Sequence, residues 1–278
     1  MSRIITALIV LPVLIASILI LWLAPLFVAL ALAAMVLGLY EFWLLARRRG
    51  MKPDVIVGFV GAAALFTVFY FDRPHENFLP LLLLILPGLT IAALVAAMLR
   101  GAPFENMIAS VGATVLGVMY VAFLGGHLVA VRMGFEQQRA AHLLSLFFLV
   151  IMGSDTGAYY TGRALGRHKL APKISPGKTW EGAVGGMAAS LLMAVAAHYW
   201  FFPELPLKAA LPLAAAMNIL GVLGDLTESA LKRGAGAKDA AQILPGHGGL
   251  LDRLDSLLFN APVIYYFAVY YFGVAGLR

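Results

Sequence analysis

The chain has 278 residues, 62% of them hydrophobic and only 12% charged; a water-soluble domain carries roughly twice that charged share, so a soluble core is excluded. With no cysteine, thiol catalysis, disulfides and cysteine-ligated metals are excluded too. The formal charge of +6 is sorted by loop, which argues for membrane orientation and against nucleic acid.

Nine apolar spans are predicted in chain order, at about 4–23, 26–46, 55–71, 79–98, 108–131, 143–164, 182–202, 209–224 and 257–276. They are too long and too weakly alternating for barrel strands. In lipid each backbone donor must be satisfied within its own segment or in a closed barrel. The fold class expected is therefore all-α, a polytopic integral membrane protein with about nine transmembrane helices. The first run, MSRIITALIVLPVLIASILILWLAP, resembles a signal peptide. It nevertheless reaches the ~20 residues that cross a bilayer and has no small-x-small cleavage site, so it is predicted to remain as a span. Little more than Ala24 and Pro25 separates it from the second, which predicts a tight helical hairpin; merging the two would leave eight spans.

Charge orients these spans. With the N-terminus cytoplasmic, the inner segments hold Arg3, Arg47, Arg48, Arg49, Lys52, Arg100, Arg163, Arg167, Lys169, Lys173, Lys178, Lys232, Arg233, Lys238 and Arg253. The outer segments hold Arg73, Arg132, Arg139, Lys208 and Arg278. Fifteen against five accounts for all 20 Lys and Arg and follows the positive-inside rule. Residues 1–107 carry the first four spans. Residues 108–278 form the expected catalytic region, with cytoplasmic loops at 166–182 and 225–256. The compact length and simple N-terminus suggest a bacterial inner membrane, with chemistry on its cytoplasmic face.

Several polar residues interrupt apolar helices. Glu41, His127 and Asn218 stand alone, and packing or interfacial roles are expected of them. In the sixth span, MGSDTGAYYTGR is expected to bury Asp155 in a polar pocket with Ser154, Thr156, Tyr159 and Tyr160; intramembrane acids are functional candidates by default. A helix-packing hydrogen bond is the competing role for Asp155.

The next loop ends SPGKTWEG. Gly177-Lys178-Thr179 resembles the end of a Walker A motif, but Pro172 stands where its leading glycine belongs and no strand is expected before it. What remains is a Pro-Gly turn presenting Lys178 to phosphate, with Thr179 as N-cap of the seventh span and Glu181 beside the helix end or a cation.

Charge concentrates most in GVLGDLTESALKRGAGAKDAAQILPGHGGLLDRLDS, residues 221–256. Asp225 ends an apolar run, with Glu228 and Ser229 on its helical face and Lys232 a further turn along. Asp252 and Asp255, three apart, share a face at the start of the ninth span. Gly246, Gly248 and Gly249 let backbone approach a ligand. Carboxylates with few competing nitrogens or sulfurs favour Mg²⁺ completed by substrate phosphates. Asp225, Asp252, Asp255 and Glu228 are the candidate metal ligands. Lys178, Lys232, Arg233 and Lys238 are the candidate phosphate clamp, with Ser229, His247, Gly248, Gly249 and Arg253 as further substrate contacts.

SALKRGAGAKDAAQILPGHGGLLDRLDS resembles the signature of phosphatidate cytidylyltransferases. Its elements stand as Ser229, Leu231, Lys232-Arg233, Lys238-Asp239, Pro245, His247-Gly248-Gly249, Asp252-Arg253 and Asp255. GDLTES and SPGKTWEG resemble the family as well; a second lysine often replaces Gly177 there, which makes Lys178 the counterpart of the loop's reactive-site lysine. The resemblance implies conversion of CTP and phosphatidic acid to CDP-diacylglycerol and pyrophosphate, early in phospholipid synthesis. It also implies Mg²⁺, with Asp225 and Asp252 associated with the metal, allows a second cation such as K⁺, and suggests a homodimer. A transporter of anionic solutes and another membrane lipid kinase or nucleotidyltransferase are the competing readings.

Overall fold

A computed structural model describes residues 2–71, 78–237 and 249–273. Lys238, His247 and Gly248 lie outside the described residues. Helix α1 covers Ser2–Leu19, and a 3₁₀ turn at Leu21–Leu23 leads into α2, Ala24–Arg47. Ala24 and Pro25 therefore open α2 instead of separating two spans, since proline is tolerated in a first helical turn. There follow α3 (Val55–Phe71), α4 (Phe78–Leu99), α5 (Met107–Gly117), a π-helical stretch at Val118–Phe123, and α6 (Leu124–Gly134). Helix α7 is Gln137–Leu165, strands β1 and β2 are Lys169–Ala171 and Ser175–Thr179, and α8, α9 and α10 are Trp180–Trp200, Leu207–Gly234 and Leu251–Phe272.

Among the described residues six helices are long and apolar enough to cross a membrane, and Val55–Phe71 is a shorter apolar helix. This is the architecture of a polytopic helical membrane protein. Two features depart from expectation. The fold is all-α, but the loop at 166–182 adds a short antiparallel hairpin pairing Lys169 with Thr179 and Ala171 with Ser175. The stretch at 225–256 is helical at both ends, since α9 runs on to Gly234 and α10 starts at Leu251. Apolar periodicity stops where charge begins, but backbone hydrogen bonds continue as long as charged side chains find partners.

Two kinds of packing hold the bundle. Around α2, Trp43 is buried, stands edge-on to Phe59 and donates its indole N–H to Ala113 O at 3.1 Å. Between α7 and α8, backbones approach closely over small residues, as membrane helices without a hydrophobic driving force do. A methyl on Gly157 would meet Ala189 Cβ at 2.5 Å and Gly185 O at 2.8 Å. Two polar side chains in apolar helices find partners within the bundle. His127 Nδ1 lies 2.8 Å from Phe123 O among aromatic rings, and Asn218 donates to Ser154 Oγ at 2.6 Å.

The end of α2 ties the polar face together. Fully buried Glu41 accepts from Leu250 N at 2.8 Å and Leu251 N at 2.7 Å, capping the start of α10. Arg49 donates through Nε to Gly234 O at 2.5 Å, at the carbonyl end of α9. Both contacts match side-chain charge to helix polarity. Replacing Glu41 by alanine strands two amide donors, and each buried unpaired group costs about 1–3 kcal/mol. Glu41→Ala should lower the thermal midpoint of the detergent-solubilised protein, followed by the fraction remaining monodisperse after heating. Glu41→Gln, which keeps one acceptor, should lose less.

Candidate active site

Four elements bring the charged side chains together. The hairpin is fastened to the first turn of α8: Thr179 Oγ1 accepts from Gly182 N at 3.1 Å, the N-cap read from the sequence. Glu181 accepts from Arg167 N at 3.1 Å and contacts His168 Nδ1 at 2.6 Å. Pro176 and Gly177 lie within β2 and not in a turn, which instead falls at residues 172–174. An edge strand tolerates proline because no ladder partner needs its missing N–H. Gly177-Lys178-Thr179 is itself strand, so it forms no phosphate loop. Strand alternation aims Lys178 at α9, where its Nζ meets Asp225 Oδ2 at 2.5 Å.

Helices α9 and α10 pack antiparallel, and this sorts the acids into two levels. At the outer level, nearer the connecting segment, Lys232 Nζ lies 2.6 Å from Asp252 Oδ1 and 2.6 Å from Glu228 Oε2. The Glu228 contact is an ion pair without aligned hydrogen-bond geometry, and the carboxylate is fully buried. Asp252 also accepts from Gly249 N at 3.0 Å, so both its oxygens are engaged. One turn deeper, Asp225 faces Asp255 and Asp155, with Lys178 as the cation shared by all three electrostatically. Gly224 permits that approach, since a methyl there would lie 2.5 Å from Asp255 O.

The four acids assigned to a metal thus divide, Asp225 with Asp255 and Glu228 with Asp252. Among the described residues no group of three His, Asp or Glu side chains stands ready as a complete metal cage. The donor chemistry does fit Mg²⁺: Asp225 pairs with Lys178, Asp155 and Asp255 lie within its electrostatic reach, all donors are oxygens, and Mg²⁺ usually takes one or two carboxylates plus phosphates and water.

Other residues differ from expectation. Asp155 is exposed on the protein surface facing this cluster, not enclosed, and its expected pocket is not assembled. Ser154 turns inward to Asn218, Thr156 bonds back to Met152 O, and Tyr159 and Tyr160 are exposed, with the Tyr159 hydroxyl accepting from Arg163 at 3.2 Å. Ser229 Oγ lies 3.4 Å from Asp225 Oδ1. Arg233 reaches back to Ile174 O at 3.4 Å and Ala237 O at 3.3 Å, bracing the hairpin turn. Arg253 is exposed on the first turn of α10.

Arg49 and Tyr120 were not assigned to the site from the sequence, and Glu41 was expected only to pack or lie at an interface. Tyr120 lies on the π-helical stretch; its buried hydroxyl has no hydrogen-bond partner among the described residues and sits in the field of Asp255, Glu228 and Asp225. Only Glu41 left a readable signal, a carboxylate in an apolar helix that is costly unless paired or capping.

Lysines paired with carboxylates at one end of an apolar helical bundle define a class: polytopic helical membrane proteins with a charged side-chain cluster at one end of the bundle. The particular family follows from comparison. The sequence profile of the cytidylyltransferase family matches residues 1–271, and the chain belongs to that family. It is 36% identical to the phosphatidate cytidylyltransferase of Synechocystis sp. PCC 6803, over 84% of this chain and 85% of the relative. Against the phosphatidate cytidylyltransferase of Haemophilus influenzae, identity is 44% over 48% of this chain and 46% of the relative. With that of Staphylococcus haemolyticus it is 46%, over 44% and 47%. In the last two matches the aligned region spans about half of each relative's length.

Removing Lys232 would leave Glu228 and Asp252 as uncompensated buried charges, a change that typically costs about 3–5 kcal/mol. Lys232→Met should therefore lower stability strongly, and Lys232→Met/Glu228→Gln should recover part of the loss. A double-mutant cycle on thermal midpoints checks this, and strictly additive effects would contradict the shared ion pair.

Proposed function

We propose that the protein is a membrane nucleotidyltransferase that converts CTP and phosphatidic acid to CDP-diacylglycerol and pyrophosphate. The observation that carries this reading is the pair of clamped ammoniums, Lys178 on Asp225 and Lys232 between Glu228 and Asp252. Family membership and the activity for which the relatives are named support it.

The chemistry needs no protein nucleophile. A phosphate oxygen of the lipid attacks the α-phosphorus of CTP in line. The new P–O bond forms as the bond to the bridging α–β oxygen breaks, and pyrophosphate leaves with that oxygen. Catalysis is then positioning and neutralisation of phosphate charge. Lys178 and Lys232 supply ammoniums already aimed by carboxylates; when phosphate oxygens take them up, Asp225 and Asp252 are left as free oxygen donors. Arg233 and Lys238 add positive charge, and Ser229, His247, Gly248, Gly249, Arg253 and Asp155 complete the proposed contacts. Mg²⁺, when bound, would be held by Asp225 and Asp252 with Asp255 and Glu228 in support, and would polarise phosphate oxygens and neutralise their charge. K⁺ is a candidate second cation.

The proposed setting is a bacterial inner membrane with nine spans, a cytoplasmic N-terminus and a cytoplasmic site, in a homodimer. Because the chain has no cysteine, single substitutions report topology cleanly. Lys173→Cys should react with an impermeant maleimide only after spheroplasts are broken, and Glu204→Cys should react in intact ones. The reverse pattern would invert the orientation.

Purified protein with labelled CTP and phosphatidate should form liponucleotide, and chelation by EDTA should abolish the reaction until Mg²⁺ returns. Asp225→Asn, Asp252→Asn and Lys178→Ala should each lower kcat by about 10²–10³-fold, the usual loss for one preorganised electrostatic contact. Near-wild-type rates for the two Asn variants would sink the metal assignment, and absence of product from the unaltered protein would sink the reading itself.

A further inference from the structure

An apolar cavity of about 320 Å³ lies beside the charged cluster, and nothing in the proposed phosphate chemistry uses it. Its volume falls at the lower end of ligand pockets. Along α2 its lining runs from Phe27 to Leu37, about 15 Å of helix at the usual rise. Small residues keep it open: Ala31 and Ala34 on α2, and Gly125 just after the π-helical stretch. Ala33 lines the cavity while itself exposed on the outside of the bundle, so the space reaches the lipid-facing surface.

The same two elements wall both the cavity and the site. On α10, Leu254 and Leu258 line the cavity, while Asp252 and Asp255, set off from them around the helix, face the clamped lysines. On the π-helical stretch, Val121 lines the cavity and its neighbour Tyr120 faces the acids. π-Helical turns inside α-helices concentrate at functional sites because the extra residue re-aims side chains. Here it turns adjacent residues toward a charged space and an apolar one. A molecule joining a phosphate to a long hydrocarbon can occupy both at once.

We infer that this cavity is the acyl-chain subsite for the lipid substrate, holding one hydrocarbon tail of phosphatidate while its phosphate lies at the lysines. The inference rests on the proposed phosphatidate reaction but adds the location of chain recognition. Burial of hydrocarbon, about 0.8 kcal/mol per methylene transferred from water, is largely cancelled when the tail comes from a bilayer. The cavity therefore selects tail length and shape and does not by itself drive binding.

Two measurements test it. First, a phosphatidate carrying a diazirine in its acyl tail is photolysed with the unaltered protein in nanodiscs, and labelled peptides are mapped. Label is expected around Ala31–Leu37 and Leu254–Leu258, and excess plain phosphatidate should compete it away where phosphatidylcholine does not. Equal labelling by a phosphatidylcholine diazirine, or label confined to the outer surface, would overturn the assignment. Second, Ala31→Phe and Ala34→Phe are assayed with dioleoyl and dihexanoyl phosphatidate. The KM for the dioleoyl lipid is expected to rise about tenfold, with the KM for CTP and turnover of the dihexanoyl lipid unchanged. Equal effects on both lipids, or none, would overturn it. Because photolabelling needs no turnover, failure of the subsite is separable from failure of the proposed reaction, which would show as absent product from the unaltered protein.

Discussion

Everything at the polar end of this bundle depends on one lysine shared between two helices. Lys232 reaches from α9 to Asp252 on α10 and also contacts Glu228 one turn back on its own helix. Breaking such a buried arrangement leaves an uncompensated charge, so the contact specifies register as well as holding the helices together. With α9 and α10 antiparallel and in that register, Asp225 and Asp255 meet one turn deeper. Gly224 permits that approach, because its backbone lies against the carbonyl of Asp255.

The surrounding structure is arranged to keep that register. Glu41 caps α10 at its start and Arg49 binds the carbonyl end of α9, so α2 holds the two polar helix ends from one side. On the other side the hairpin, anchored by Thr179 and Glu181, delivers Lys178 to Asp225. The cations are thus bound by acids in advance of any phosphate. In the proposed reaction, phosphate would exchange partners with groups already in place, at little reorganisation cost. The polar cluster and the apolar cavity share α10 and the π-helical stretch as walls.

Much of this was legible in the amino-acid order. Low charge and long apolar runs specify membrane-crossing helices, because a bilayer admits few alternatives. Spacings of three and four residues put Asp225, Glu228 and Lys232 on one helical face, and Asp252 with Asp255 on another, since side-chain direction along a helix is a local property. The density of acids, bases and glycines in residues 221–256 marked the candidate site, and its motif marked the family. Thr179 was readable as a cap for the same local reason.

What only the tertiary structure decided was pairing between segments. No local rule brings Lys178 to Asp225, Glu41 to the start of α10 or Tyr120 into the field of three acids, because those contacts depend on how helices distant in sequence pack. The same dependence divided the four expected metal ligands into two levels. Sequence determined which chemical groups the protein owns and which helix face each occupies. Interhelical packing, set by glycine contacts such as Gly224 against Asp255 and Gly157 against Gly185, determined which of those groups meet.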